Sequence, residues 1–226
     1  MGGIFVSGTG TDVGKTYVTA AMVHHLRNAG KNVDAYKPVI SGFDPKNSDS
    51  SDPAVLLSAL GRTTTDDEIG RIAPWRFVPP LSPDLAAKAE GRAIDFNEVV
   101  EFSRRVAYGR GTIFIEGVGG IMVPLDQSHT VLDWMSALRI PVLLVAGSYL
   151  GTISHTLTAL HVLAQRNLDI VGVVVSESTV PGANLDDTVE TVARFASPID
   201  VIGLPRLPLN ELASDAVLSR IERLLM

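Results

Sequence analysis

At 226 residues, with 46% hydrophobic and 19% charged side chains, the chain is long enough for one sizeable core and too apolar to be disordered. Its net charge of −6 counts against a general nucleic-acid binder, and the absence of cysteine removes disulfides, thiolate metal sites and cysteine nucleophiles. No apolar run is long enough to span a bilayer, and the first apolar stretch leads straight into a glycine-rich loop rather than a leader's cleavage site. The expectation is a cytoplasmic α/β protein with neither membrane nor nucleic-acid partners.

Residues 3–7, GIFVS, read as a buried strand, followed by GTGTDVGKT at 8–16. An apolar strand, a loop of small residues and Gly-Lys-Thr opening a helix is the layout of a phosphate-binding P-loop. Small residues let backbone N–H groups converge on phosphate oxygens, and the helix N-terminus adds unpaired N–H groups and a positive dipole end. Lys15 is expected to reach the terminal phosphates and the Thr16 hydroxyl to sit on Mg²⁺. The loop is one residue longer than usual, because the leading glycine is Gly8 and position 9 is Thr9.

Residues 15–29 form a predicted helix with Val18, Ala21, Met22, Leu26 and Ala29 on one face and Gly30 as its stop. His24 and His25 lie on it, but adjacent helical residues point apart and do not make a metal pair. A strand over 32–37 follows. Pro38 and Gly42 place Lys37 and Ser41 at its C-terminal end, where open parallel sheets bind ligands. Residues 44–52 are polar and turn-rich. A helix over 53–60 has Pro53 at its first position and Asp52 as N-cap. Residues 62–83 look irregular, and helices are expected over 84–90 and 95–108. Short Val/Ile/Leu-rich strands at 112–116, 142–146, 170–176 and 200–204 alternate with helices at 130–138, 152–165, 185–195 and 212–225. Continuous apolar strands alternating with helices imply a single doubly wound, mainly parallel sheet domain of the P-loop NTPase type spanning residues 1–226.

Three constellations stand beside the loop. Lys37 with Ser41 could neutralise a transferring phosphoryl group or hold an anionic acceptor. Glu116 emerges from a buried strand into Gly117-Val118-Gly119-Gly120, and such a carboxylate is costly unless paired or bound to a cation. Asp52, or alternatively Asp49, offers a further oxygen from the polar loop, so that Thr16, Asp52 and Glu116 suffice for Mg²⁺, which takes few protein ligands. A helix starting near Gly151 makes a carboxylate site plausible at its N-terminus. His155 and His161 are read as helix-core or surface residues, and His129 is uninformative.

These stretches, in this order, resemble the dethiobiotin synthetase family. The similarity lies in GTGTDVGKT (8–16), YKPVISG (36–42), SPDLAAKAEG (82–91), IEGVGG (115–120), LGTISHT (150–156) and GLPRL (203–207). It implies an ATP-dependent ligase of biotin biosynthesis that closes a cyclic urea from 7,8-diaminononanoate and CO₂, with bicarbonate as reservoir, giving dethiobiotin, ADP and phosphate. An amine captures CO₂ as a carbamate, the γ-phosphate converts it to a carbamic-phosphoric anhydride, and the second amine displaces phosphate. By position, the resemblance gives Thr11 and Lys37 to the carbamate, with Lys15 as the other catalytic cation, and Ser41 to the diamine. Asp12, Val13, Gly14, Lys15, Thr16 and Tyr17 would surround the ATP phosphates, with Gly117, Val118 and Gly119 alongside. Thr16, Asp52 and Glu116 would ligate Mg²⁺. Pro205, Arg206, Leu207 and Glu211 would line base and ribose. The family's active sites lie at a homodimer interface, so Gly151, Thr152 and Ser154 would bind the substrate carboxylate from the neighbouring subunit.

Three positions depart from the family pattern. Ser176 stands where well-known members have an adenine-reading Asn, Ser154 replaces an Asn near the substrate carboxylate, and Thr188 stands where some members have Tyr. The competing expectation is a regulatory ATPase of the septum-site or plasmid-partition type, which shares the fold. Those proteins carry a lysine five positions before the P-loop lysine, and Gly10 stands there instead.

Overall fold

The structure is a computed structural model, described here for residues 2–179, 182–206 and 214–226. In chain order, strand β1 (Gly3–Gly8) leads through the glycine-rich loop into helix α1 (Lys15–Asn28), and β2 (Val33–Tyr36) and β3 (Val39–Ser41) follow. A 3₁₀ turn (Pro45–Ser50) precedes α2 (Asp52–Ala59), α3 (Asp66–Ile72), β4 (Trp75–Phe77), α4 (Pro83–Ala89) and α5 (Phe96–Ala107). The second half alternates strictly: β5 (Thr112–Glu116), α6 (Val131–Leu138), β6 (Val142–Gly147), α7 (Thr152–Gln165), β7 (Ile170–Ser176), α8 (Leu185–Ala196), β8 (Val201–Leu204) and α9 (Asp215–Leu224).

Among the described residues, six strands form one sheet in the order β2-β5-β1-β6-β7-β8, and every pairing in it is parallel. The expected doubly wound parallel sheet is therefore the observed one. Alternation along each strand sends residues to two cores. Phe5, Ile113, Ile115, Leu144 and Val173 face one side, where Trp134 of α6 and Leu163 of α7 cover them. Ile4, Val6, Phe114, Leu143 and Val174 face the other, under Val18, Met22 and Leu26 of α1 and Ile221 of α9. Burying each such side chain contributes roughly 1.5–3 kcal/mol relative to exposure. The Phe5 and Trp134 rings meet edge-on at 4.9 Å, joining the strand that carries the P-loop to the helix opposite.

Several local expectations need correction. Residues 62–83 are not irregular, because Asp66–Ile72 is helical and Trp75–Phe77 pairs in parallel with Val39–Ser41 as a separate two-stranded sheet. Thr65 caps α3 by accepting from the Glu68 N–H, a cap the proline-rich context obscured. Residues 45–50 of the polar segment form the 3₁₀ turn. The cap of α2 is Ser51, not Asp52: the Ser51 hydroxyl accepts from Ala54 N, and Asp52 lies inside the first turn. That one-residue shift has a chemical consequence, since a capping carboxylate would be tied to backbone and this one is not. The expected helix over 212–225 begins, among the described residues, at Asp215. No described helix is long and apolar enough to cross a membrane.

Candidate active site

Strand register builds the site. Pairing of β1 with β5 sets Val6 beside Glu116, so the carboxylate arrives next to the start of the P-loop, at the C-terminal edge of the sheet. The loop then turns into α1 through Gly14, whose φ of +97° lies in the left-handed region. A side chain there would meet the Ser176 hydroxyl at 2.4 Å. Opposite, Gly120 lies so close to Thr9 and Gly10 that an added Cβ would come within 3.2–3.3 Å of their backbone. The Ile121 N–H donates to the Gly8 carbonyl, holding the EGVGG turn against the phosphate loop.

Lys37 Nζ is 2.6 Å from Glu116 Oε1 and 2.6 Å from Asp52 Oδ2. Thr16 Oγ1 donates to the same Glu116 oxygen at 2.6 Å and lies 3.5 Å from Lys37 Nζ. Glu116 is fully buried and Lys37 nearly so, whereas Asp52 is partly exposed at the rim. Lys15 donates to the Gly10 carbonyl at 2.8 Å, folding back over its own loop.

The charges are strongly coupled. Burial lowers the Lys15 pKa to about 8, and the positive charge of Lys37 acts in the same direction. Burial would also lower Lys37, but the charges of Glu116 and then Asp52 outweigh it and hold Lys37 above the ordinary lysine value. For Asp52, burial works upward, yet the charge of Lys37 keeps its carboxyl below the usual aspartate value. Lys37 and Asp52 are thus an ionised pair throughout the neutral range. A cleft of about 730 Å³ opens above these groups, lined among others by Thr11, Ser41, Pro80, Ser82, Val118 and Arg206.

The donor set fits a hard divalent cation. Thr16, Glu116 and Asp52 offer only oxygen, and Glu116 Oε2 is buried with no hydrogen-bond partner. Among the described residues no three His, Cys, Asp or Glu side chains are grouped for a metal. Two carboxylates and a hydroxyl suit an ion such as Mg²⁺ that keeps water and takes substrate phosphates rather than a full protein cage.

Residues 2–215 match the family model described as "AAA domain". The chain is 46% identical over 208 residues to an ATP-dependent dethiobiotin synthetase of Caulobacter vibrioides, covering 91% of this chain and 93% of that protein. The corresponding enzyme of Acidiphilium cryptum is 45% identical, covering 86% and 88%. That of Methylobacterium nodulans is 47% identical, covering 87% and 90%. The chain belongs to the dethiobiotin synthetase family. Dethiobiotin synthetases are ATP-dependent ligases, and that enzyme class holds for this chain. Among solved structures, the MinC:MinD cell division protein complex of Aquifex aeolicus aligns with a TM-score of 0.55 at 14% identity, covering 92% of this chain and 82% of that one. That likeness speaks for the P-loop fold alone, which the septum-site reading shares.

Most residues singled out by the dethiobiotin synthetase resemblance converge on this cleft: Thr11, Asp12, Gly14, Lys15, Thr16 and Tyr17 from the loop, with Lys37, Ser41, Asp52, Val118 and Gly119 around it. Of the two acidic candidates from the polar segment, Asp52 stands at the cleft, and Asp49 is exposed on the 3₁₀ turn. Val13 is buried beneath the loop, and Gly117 donates its N–H to the Val6 carbonyl as part of the floor. Tyr17 donates its hydroxyl to the Pro205 carbonyl, Arg206 lies over the Tyr17 ring, and the Arg206 N–H is accepted by Glu177. Ser176 is buried against Gly14 and backs the phosphate loop, while Glu177 lines an adjacent cleft of about 700 Å³. Gly151, Thr152 and Ser154 do not line the main cleft. Thr152 is internally committed, its hydroxyl to the Gly147 carbonyl and its N–H to Tyr149. Leu207 and Glu211 lie outside the described residues.

Two contributors carried no assigned role in the sequence. Residues 80 and 81 form part of a cleft wall, signalled only by the surrounding proline density. Gly10 supplies a carbonyl for Lys15, and nothing in the sequence marks that.

Proposed function

We propose that the chain joins CO₂ to 7,8-diaminononanoate at the expense of ATP, closing the ureido ring of dethiobiotin with release of ADP and phosphate. The single observation that carries the reading is the convergence of Lys37, Thr16 and Asp52 around Glu116 at the mouth of the phosphate loop, in a chain of this family. A simple nucleotide binder has no need for a second buried lysine there.

The loop N–H groups and Lys15 would hold the ATP phosphates, with Pro205 and Arg206 near base and ribose. Thr16, Asp52 and Glu116 would hold Mg²⁺, which when bound offsets the charge of the β- and γ-phosphates. One substrate amine adds to CO₂ and loses a proton, forming a carbamate. Lys37 and Thr11 align that carbamate so that its oxygen attacks the γ-phosphorus and ADP leaves. The second amine then attacks the carbamoyl carbon, the ring closes and phosphate departs. No protein nucleophile is required, since the groups present orient and neutralise anions in a partly enclosed cleft.

Ser41, on the cleft wall, would contact the diamine. Its carboxylate would be met by the helix start at Gly151 on a second copy of the chain in a homodimer. Exposed apolar side chains beside both places support this pairing: Leu81 and Leu85 next to the cleft, and Leu150, 91% exposed, beside Gly151. The reaction is tested by incubating the protein with ATP, Mg²⁺, bicarbonate and the diamine and detecting dethiobiotin by mass. ATP hydrolysis indifferent to the diamine would overturn the assignment. Light scattering tests the dimer, where a monomeric mass would exclude the shared site.

A further inference from the structure

Lys37 borders the cleft, but its ammonium is tied to the carboxylates beneath it. Its ammonium lies at 2.6 Å from an oxygen of each carboxylate and at 3.5 Å from the Thr16 hydroxyl, in the middle of the oxygen set that suits a divalent cation. We propose that in the nucleotide-free protein Lys37 is a placeholder for that cation, so that metal enters only together with nucleotide. The proposal rests on the reading of Thr16, Asp52 and Glu116 as the metal position.

Charge balance supports it. Lys37 sits between the carboxylates of Asp52 and Glu116 with Lys15 close by, so the formal charges of two lysines and two carboxylates offset one another at the centre of the cluster. A divalent ion arriving alone would leave a buried excess of +2, which a poorly solvated site resists. Nucleotide phosphates reverse the sign. Their negative charge draws in both the metal and the two lysine ammoniums, and Lys37 is released toward the cleft it already borders. The orphan Glu116 Oε2 then gains a partner, and Lys37 arrives beside the γ-phosphoryl group only once the metal has replaced it. The same side chain thereby keeps two buried carboxylates compensated in the resting protein and becomes available for substrate when the nucleotide is loaded.

The test uses Mn²⁺ as the probe, followed by electron paramagnetic resonance and calorimetry on the full chain. Without nucleotide, wild type should bind Mn²⁺ weakly, and Lys37→Met should tighten it by about tenfold or more. Lys37→Arg, which keeps the charge, should stay near wild type. Equal Mn²⁺ affinity in wild type and Lys37→Met would overturn the proposal. If Lys37→Met is poorly folded alone, its melting temperature should rise with Mn²⁺ much more than that of wild type, and no such rise would equally overturn it. The underlying site is tested separately. Glu116→Gln should weaken Mn²⁺ binding in the presence of ATP, and if it does not, the metal position itself is wrong whatever Lys37 does.

Discussion

Thr16 Oγ1 donates to Glu116 Oε1 at 2.6 Å, tying the first turn of the P-loop helix to a strand end 100 residues later. The hydroxyl gives its one proton to the carboxylate, and its oxygen stays 3.5 Å from Lys37 Nζ within the same cluster. Thr16→Val keeps the shape and removes the oxygen. Turnover should fall about 10²- to 10³-fold, while Glu116 keeps its bond to Lys37 and the melting temperature changes little. Thr16→Ser should retain most activity. Steady-state rates of dethiobiotin formation beside thermal scans check both halves.

How much of this was legible in the sequence differs by region. The parallel sheet was readable because continuous apolar strands at 112–116, 142–146 and 170–176 alternate with helical patterns, a local signal. The P-loop was readable because its glycines, Lys15 and Thr16 are contiguous. By contrast, the junction of Lys37, Asp52 and Glu116 depends on register between strands far apart in sequence, and Val6 beside Glu116 is not written in either strand alone. The chemistry nominated those side chains; only the fold could bring them within 2.6 Å. The cap was ambiguous for a similar reason, since Ser51 and Asp52 are both good caps, and only the fold shows Ser51 bonded to Ala54 N and Asp52 paired with Lys37. Strand β4 was missed because three residues between prolines give no periodicity.

Nucleotide affinity should depend on pH through Lys15. Its pKa in the free protein is lowered to about 8 from an ordinary 10.5. Below pH 8 the ammonium is charged and available to phosphate, so affinity should be flat there. Above pH 8 the free protein loses the proton that bound phosphate favours, and the dissociation constant should rise, by up to about tenfold per pH unit. Folding follows the opposite sign, because between pH 8 and 10.5 the unfolded chain binds more protons at this lysine and stability contributed by the group increases. Calorimetric ATP titrations from pH 6.5 to 9.5 check the first statement. Lys15→Met should abolish this pH dependence along with much of the affinity.

Helix α9 is clasped to α1 by Glu222, which accepts from Lys31 and pairs with His25 at 3.2 Å. The hydrogen bond from Lys31, then that with His25, keeps the Glu222 carboxyl below the ordinary glutamate value despite burial acting upward. Glu222→Gln should cost about 1 kcal/mol and lower the melting temperature by about 2–4 °C. A depressed carboxyl pKa contributes stability above its unfolded value of 4.5 and loses it as pH falls through the folded value. The gap between wild type and variant should therefore close in acid, which melting curves at pH 7 and below pH 4 would reveal.

Gly14 and Ser176 should be energetically coupled. A Cβ at Gly14 would come within 2.4 Å of the Ser176 hydroxyl and 2.8 Å of its Cβ, and the φ of +97° strains any L side chain. Gly14→Ala should therefore destabilise the protein by about 1–3 kcal/mol and disturb the N–H cradle, weakening nucleotide binding. Trimming the opposing wall with Ser176→Gly removes the clash but not the dihedral strain, so the double variant should recover part of the loss. A double-mutant cycle in denaturant should give a coupling of about 0.5–3 kcal/mol in the compensating direction. Additive effects would mean that the loop moves away from β7 at little cost. The Ser176 hydroxyl would then be a passive neighbour of the phosphate loop, not a wall that fixes its conformation.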